Sequence, residues 1–519
     1  MMAEPLQQPP LPLAAERSVE VVAPAMQGLR RGERRLTVFG FEFRIERSTV
    51  FVEAGRRLRT RPRIAPGQWV RVRGRTTIQG VLIARRVELM EEDGLLFVSV
   101  TRDGQEKALM SGGQFARRQP IQTFLEDDQK NVAFSNRLRP GIWLGGKAGQ
   151  TLRYEDERDL DRERPADRLR LRSDLRLDVL WRIGRRGGYF LGETALRHEA
   201  SWKEERALAV TTSADLARGY VFFPVTGVVG VQLGRQDFTD ERQWSYDALL
   251  DGVRGYVVTK RFLGEVGVAR GPRLPGGTVQ RGESRFVTMD LRWYVDDRHF
   301  LGLWGVRRDA RAGPAFNPRL YGLRMMNRAR RGLRYWLEWA RASGRVNAAP
   351  IDGVGVDLGA AWITGRRRRF YVIGAVAYGS GVTGNDQSRA FRQTGIQRNT
   401  DKFGGVSRYR YYGEVLDPEL SNRWITTLGV GMRPGRAFSV DVLWHGYQQV
   451  ELSADLGNTR LKSQVNGRSR ELGQAVDVVI GVALNGFKLE VTAGRFEPGA
   501  AFDSQVPSHV LTLQAEYKF

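Results

Sequence analysis

Arginine recurs in this chain at spacings that set guanidinium groups side by side. In "DRLRLRSDLRLDVLWRIG", Asp167 to Gly184, Arg168, Arg170, Arg172 and Arg176 share one phase with Asp174 and Asp178. Between Leu233 and Arg254, charge of both signs gathers at Arg235, Asp240, Glu241, Arg242 and Asp247. Between Phe391 and Asn422, Arg392, Arg398, Arg408 and Arg410 are interleaved with Phe391, Phe403, Tyr409, Tyr411 and Tyr412. A guanidinium is a planar fork of donors that fits a carboxylate or phosphate through two hydrogen bonds. Aromatic faces beside such forks suit sugar rings that carry carboxylates. The chemistry indicated is repeated contact with an oxyanion. Other chemistries have little support. His198, His299, His445 and His509 lack metal-like spacing, no Gly-x-Ser-x-Gly elbow occurs, and cysteine is absent. Neither a catalytic role nor a cofactor is expected.

The elements that hold these arginines follow from a period of two. Leu169, Leu171, Leu175, Leu177, Val179, Trp181 and Ile183 occupy the phase opposite to the arginines. Successive side chains of an extended strand point to opposite faces, so one face is apolar throughout. The same writing returns in Val287, Met289, Leu291, Trp293 and Val295, in Leu333, Tyr335, Leu337 and Trp339, and in Val354, Val356, Leu358, Ala360 and Trp362. It returns again in Phe438, Val440, Val442 and Trp444, in Val476, Val478, Ile480, Val482 and Leu484, and in Phe487, Leu489, Val491 and Ala493. Many of these strands are longer than the five or six residues usual in soluble sheets and suffice to cross a hydrocarbon layer when tilted. Their polar phase carries charge, as a wet lumen would, and Trp or Tyr tends to end the apolar phase. Short turns such as "MRPGRAF" and "ALNGF" contrast with long polar stretches at 380–404 and 447–474. The chain ends on Leu511, Leu513, Ala515, Tyr517 and Phe519 in one phase. These features predict an all-β, antiparallel transmembrane β-barrel over 135–519. At roughly 20 residues per strand and turn it would hold 16 to 20 strands, with 18 expected. Closure is required, because an open edge in lipid leaves backbone groups unpaired.

Of the 519 residues 41% are hydrophobic, but no run of about 18 apolar residues occurs, which excludes a helical membrane span. The formal charge is +24, and only nine of the 82 basic residues are lysine. The opening "MMAEPLQQPPLPLAAERS" has no basic segment followed by an apolar core, so no complete export signal is visible in it. Residues 1–34 read as a flexible, Pro-rich lead-in. Residues 35–95, with "APGQWVRVRG" and "GVLIARRVEL", resemble a small closed β-barrel of the OB type, an architecture that often binds polymers. Residues 96–134 read as a linker or plug segment. Arg366 to Arg369 lies between "AWITG" and "FYVIGAV" and reads as a tight turn at a membrane face. A basic run can also neutralise nucleic-acid phosphates, but the flanking strands are too apolar for a soluble binder, and no nucleic-acid partner is expected.

Three stretches go beyond pattern. "LGRQDFTDERQWSYDALLDGVR", "FRQTGIQRNTDKFGGVSRYRYYGEVLDPELSN" and "NGRSRELG" with "VDVVIGV" resemble the alginate export family of outer-membrane porins across about 135–519. The resemblance implies a monomeric 18-stranded porin in the outer membrane of a Gram-negative bacterium. Through its basic lumen an anionic exopolysaccharide such as a polyuronate would leave the cell. Arg170, Arg172, Arg176, Arg235, Asp240, Arg242, Asp247, Arg392, Arg408, Tyr409, Arg410 and Tyr411 are then the expected pore-lining set. For the middle group the competing reading is an arginine–carboxylate network that pins a loop to the wall; for the last, a loop folded into the barrel for stability. His445 is expected to face inward beside Asp441. Partners would be the polymer, lipid and lipopolysaccharide, with periplasmic secretion proteins reached through residues 35–95. Two alternatives stay open: a general anion-selective or nutrient-uptake porin, and a soluble polyanion-binding β protein.

Overall fold

The structure, a computed structural model, describes residues 18–519 apart from 112–135 and shorter turn and loop segments such as 273–283 and 383–389. The chain divides into two compact units, Met1–Asp127 and Asp128–Phe519.

The first unit is built from β1 (Ser18–Gln27), β2 (Arg35–Val38), β3 (Phe41–Glu53), β4 (Arg56–Arg57), β5 (Trp69–Thr76), β6 (Leu82–Leu89), β7 (Phe97–Arg102) and β8 (Gln105–Ser111). β1 pairs with β2 and β5, β2 with β3, β3 with β6 in parallel, and β6 with β5. That ring of five has the Greek-key connectivity of the OB type. Alternate residues fill it, among them Val19, Val21, Phe43, Ile45, Val70, Val72, Ala84 and Val87. Two expected boundaries change. The lead-in assigned to 1–34 contains β1, the strand that closes the ring; the prolines before it gave the whole stretch a loop-like composition. Residues 97–111, placed in a linker or plug, form the β7–β8 hairpin, which adds to β1. The rest of that segment, 112–135, lies outside the described residues.

The second unit is a closed barrel of 18 antiparallel strands. Its first half comprises β10 (Ile142–Asp156), β11 (Arg168–Ile183), β12 (Gly188–Lys203), β13 (Arg206–Pro224), β14 (Val229–Thr239), β15 (Asp247–Val258), β16 (Phe262–Arg270), β17 (Ser284–Tyr294) and β18 (His299–Ala310). The second half comprises β19 (Phe316–Asn327), β20 (Gly332–Val346), β21 (Ala349–Thr364), β22 (Arg369–Gly379), β25 (Arg423–Arg433), β26 (Phe438–Gln448), β27 (Glu471–Leu484), β28 (Phe487–Pro498) and β29 (Ser508–Lys518). β10 pairs with β29 from Lys147↔Lys518 to Asp156↔His509, which closes the ring, and the short β9 (Asn136–Arg139) continues along the same edge of β10. The hairpin β23 (Thr400–Asp401) with β24 (Tyr409–Arg410) stands apart from the wall.

The expected phase holds around the wall. Leu171, Leu175, Leu177, Trp181, Val287, Met289, Trp293, Leu358, Trp362, Leu511 and Leu513 are exposed outward. Trp181, Trp293, Trp362, Phe370 and Tyr517 mark one end of this apolar band, and Trp202 and Trp424 the other, as girdles do. One end of the barrel is closed by turns of two to four residues, including 365–368 within the four-arginine run. The other end carries the long loops, above all 240–246, 380–422 and 449–470.

Candidate functional site

Two of those loops turn inward. In 240–246, the Asp240 carboxylate accepts from the amides of Arg242 (3.1 Å), Trp244 (3.0 Å) and Ser245 (2.7 Å), which winds the segment into a tight, dry knot. Residues 390–422 pack upon it. Asn399 N donates to Gln243 O at 3.0 Å, Gln393 Nε2 to Trp244 O at 2.6 Å, and Tyr411 OH to Arg242 O at 3.2 Å. Phe391 stacks on Trp244, which meets Trp304 edge-on. Seating these rings requires bare backbone in the wall and loop. A Cβ on Gly355 would fall 2.4 Å from the Phe391 ring, and Gly413, at φ +94°, would bring one to 2.1 Å from Tyr447 Oη.

Charges in this half of the barrel are bonded to one another. Arg324 reaches Glu338 (2.7 Å), Asp240 (3.1 Å) and Asp290 (3.4 Å), and Arg292 reaches Asp290 (2.8 Å) and Glu241 (2.9 Å). Arg242 pairs with Asp357 at 3.0 Å, its guanidinium 4.5 Å from the Trp336 ring centroid and 4.4 Å from that of Tyr411. Asp357 also accepts from Tyr412 OH (2.6 Å), which accepts from Trp244 Nε1 (2.7 Å).

Among the described residues, nothing covers the other side of the lumen. On β11, Arg170 pairs with Glu199 (3.3 Å), Arg176 with Glu193 (3.0 Å), and Arg172 grips Asp174 through two bonds of 2.6 and 2.8 Å. Arg197 joins Asp174 from β12 at 3.2 Å. The side chains of Arg170, Arg172, Arg176 and Arg197 are 30–35% exposed, against 1–3% for Arg235, Arg242 and Arg324. Where the inserted loop faces this wall, Arg153, Arg408, Arg410, Glu490, Thr512 and Gln514 line a cavity of about 130 Å³. Arg408 is exposed and makes no ion pair or hydrogen bond among the described residues. Lys402 is likewise exposed and lies within electrostatic reach of Lys488, Arg408 and Arg433.

The expected pore-lining set therefore splits. Arg170, Arg172, Arg176, Arg408 and Arg410 border open lumen, Arg410 being held by Asp417 at 2.7 Å. Asp240, Arg242, Tyr409 and Tyr411 are buried where loop meets wall, because each is covered by the segments it bonds. Arg235 is buried within the wall itself, bonded to Asp251 (2.8 Å) and Leu216 O (2.8 Å) in the strand phase of the outward Leu233 and Val253, and not in the lumen-lining phase. Asp247 and Arg392 join the loop network, to Arg398 (2.8 Å) and Glu419 (3.4 Å). His445 does face inward, but it contacts Asp477 (3.3 Å) and Thr427 (2.9 Å), while Asp441 accepts from Tyr371 OH at 2.5 Å. Sequence reading passed over Arg153, Arg197, Lys402 and Lys488 on the open side and Arg324 and Asp357 on the packed side. For Arg197, Arg324 and Asp357 the inward phase of the strand was the available signal.

Residues 282–515, from β17 to β29, match the family described as alginate export. That stretch, less than half of the chain, is similar to the alginate export family. A stretch of 138 residues is 31% identical to the alginate production protein AlgE of Azotobacter vinelandii and spans 25% of this chain and 28% of that relative. Residues 30–88 match a domain of unknown function, DUF5666. Similar solved structures include Pseudomonas aeruginosa OccK5 (OpdH), at 8% identity and TM-score 0.49 over 74% of this chain and 99% of that one. Acinetobacter baumannii OccAB4 is 9% identical, with TM-score 0.47 over 72% and 98%.

Proposed function

We propose that this barrel is an outer-membrane channel that exports an acidic polysaccharide along the open side of its lumen by passive, electrostatically selected diffusion. The observation that carries this reading is the row Arg170, Arg172, Arg176 and Arg197. Each is about a third exposed, and each is tied to a carboxylate that a polymer carboxylate would replace. Such exchange trades one charge-assisted contact for another, so no single site holds the chain tightly. Resident acids thus keep the arginines oriented and keep binding weak. Arg408 and Lys402, on the facing loop, supply charge that no bonded resident acid offsets among the described residues. The named function of the Azotobacter relative makes alginate a first candidate polymer.

The test is single-channel conductance in a planar bilayer, with added polyuronate and with neutral dextran of equal length. Anion-selective steps blocked by polyuronate and not by dextran are expected, with block weakened by Arg172→Glu. Equal block by both polymers would instead mark a general porin.

A further inference from the structure

The N-terminal unit carries a cationic surface that the lumen reading leaves unused. β3 and β6 run parallel in register from Phe43↔Leu82 to Ile45↔Ala84 and resume at Val50↔Arg86. Between these points β3 inserts Glu46, Arg47, Ser48 and Thr49 opposite the single residue Arg85. The bulge is stitched in place. Glu46 N donates to Thr49 Oγ1 (3.0 Å), and that buried hydroxyl donates to Ala84 O (2.7 Å). Arg44, Arg47, Arg85 and Arg86 consequently stand exposed along one seam. Like charges also face one another across the strands, Arg35↔Arg44 on one side and Arg73↔Arg86 on the other. Directly opposed like charges destabilise a sheet. The neighbouring acids serve the other member of each pair or Arg71, with Glu42 on Arg35 (3.2 Å), Glu20 on Arg71 and Arg73 (3.4 and 3.2 Å), and Glu88 on Arg71 (3.5 Å), so Arg44 and Arg86 are left without one. Arg44, Arg47, Arg85 and Arg86 make no ion pair or hydrogen bond among the described residues.

We propose that this seam is a second binding site for the acidic polysaccharide, an inference that rests on the export reading for its choice of polymer. Three features favour that ligand. The cations are all arginine, whose fork pairs with carboxylates in two bonds. Adjacent strands repeat every 4.8 Å or so, which offers a periodic ladder to a linear polyanion. Val81 is the only large apolar side chain exposed among the described residues of this unit. Among the described residues, the unit thus exposes neither the aromatic platforms on which single-stranded nucleic acid stacks nor the apolar anchors that enter a bilayer. Because the site is covalently tied to the channel, capture there raises the effective concentration of polymer at the lumen.

The experiment uses the full chain in detergent with a fluorescently end-labelled polyuronate oligomer. Combined Arg44→Gln, Arg47→Gln, Arg85→Gln and Arg86→Gln should weaken binding at low salt by about tenfold or more and flatten its salt dependence. Conductance without polymer should stay at its wild-type value, and polyuronate block should persist but require more polymer. Should the quadruple variant fail to fold, Arg47→Gln with Arg85→Gln should give an intermediate loss. Undiminished affinity in a folded variant would overturn the site and leave the export reading intact. Loss of affinity together with a wild-type pore that polyuronate does not block would uphold the site and overturn the export reading. Tighter binding of single-stranded DNA of equal charge, or of anionic vesicles, would overturn the assigned class of ligand.

Discussion

Arg172 and Arg324 both sit on inward phases of the same barrel and both bond carboxylates, yet one is 31% exposed and the other 1%. The difference comes from what lies in front of them. Nothing described covers β11 on its inner face, whereas the knot at 240–246 and the loop 390–422 fill the space before β17 to β21. Among the described residues, one side of the ring is a wall left accessible to solvent and the other is a protein core. Arginine serves as a replaceable contact on the first and as a cross-link on the second, and substitutions should separate the two roles.

The largest effect is expected at Arg324. Its removal leaves Asp240, Asp290 and Glu338 facing one another in a dry site, and breaking a buried pair costs about 3–5 kcal/mol. Arg324→Met should lower the urea midpoint in detergent accordingly, with a noisier channel as the loops loosen. Arg172→Met, by contrast, should cost at most about 1 kcal/mol, because its partner can turn to water. Equal losses at the two positions would erase the distinction between core and wall.

A smaller loss is expected at Tyr412, whose hydroxyl links Trp244 Nε1 to Asp357. Tyr412→Phe keeps the ring, strands Trp244 Nε1 and removes one of the bonds on Asp357, which keeps Arg242 and Trp336, a cost of about 1–3 kcal/mol. Unfolding in detergent measures it, and an unchanged midpoint would mean that water reaches this junction. Smaller still in stability, but largest in transport, is the paired change Arg172→Glu with Arg176→Glu. The fold should hold while the ratio of anion to cation permeability, read from reversal potentials, falls several-fold. Unaltered selectivity would move the filter to the facing loop.

Much of the barrel was legible because strand phase is a local property. The outward residues Leu175, Trp181, Val287 and Trp362 are fixed by the medium they meet, and every second position repeats the instruction. Phase also placed Arg172 and Arg324 inward. It could not separate them, since a dry network and a wet wall require the same polar residues at the same period. That distinction is made by Trp244, Phe391, Tyr409 and Tyr412, which sit in loops without periodicity and reach the wall from 55 or more residues away in the case of Tyr412 and Asp357. The strand Ser18–Gln27 was missed for a related reason: Pro24 and the prolines upstream gave a strand the composition of a lead-in. The partner of His445 was misassigned because a neighbour in sequence, Asp441, competed with Asp477, a neighbour only in the folded sheet.

The smallest effect expected comes from the tight-turn end, which belongs to neither side. In the turn after β17, the Asp296 carboxylate accepts from Arg298 N (2.7 Å) and His299 N (2.8 Å). These backbone bonds, the Arg298 amide first, with the His299 ring adding to them, favour the charged form and bring its pKa down to about 2 from an ordinary 3.8. A depressed carboxylate stabilises the fold fully above its unfolded pKa, and the contribution disappears as pH falls through the folded value. The turn should therefore be indifferent to pH from neutrality down to about 5 and should weaken only between about 4 and 2. The amide shifts of Arg298 and His299, followed by NMR, should titrate together with a midpoint near the lower end of that window. A midpoint at the ordinary aspartate value would mean that the two amides do not hold the carboxylate in the membrane-embedded protein.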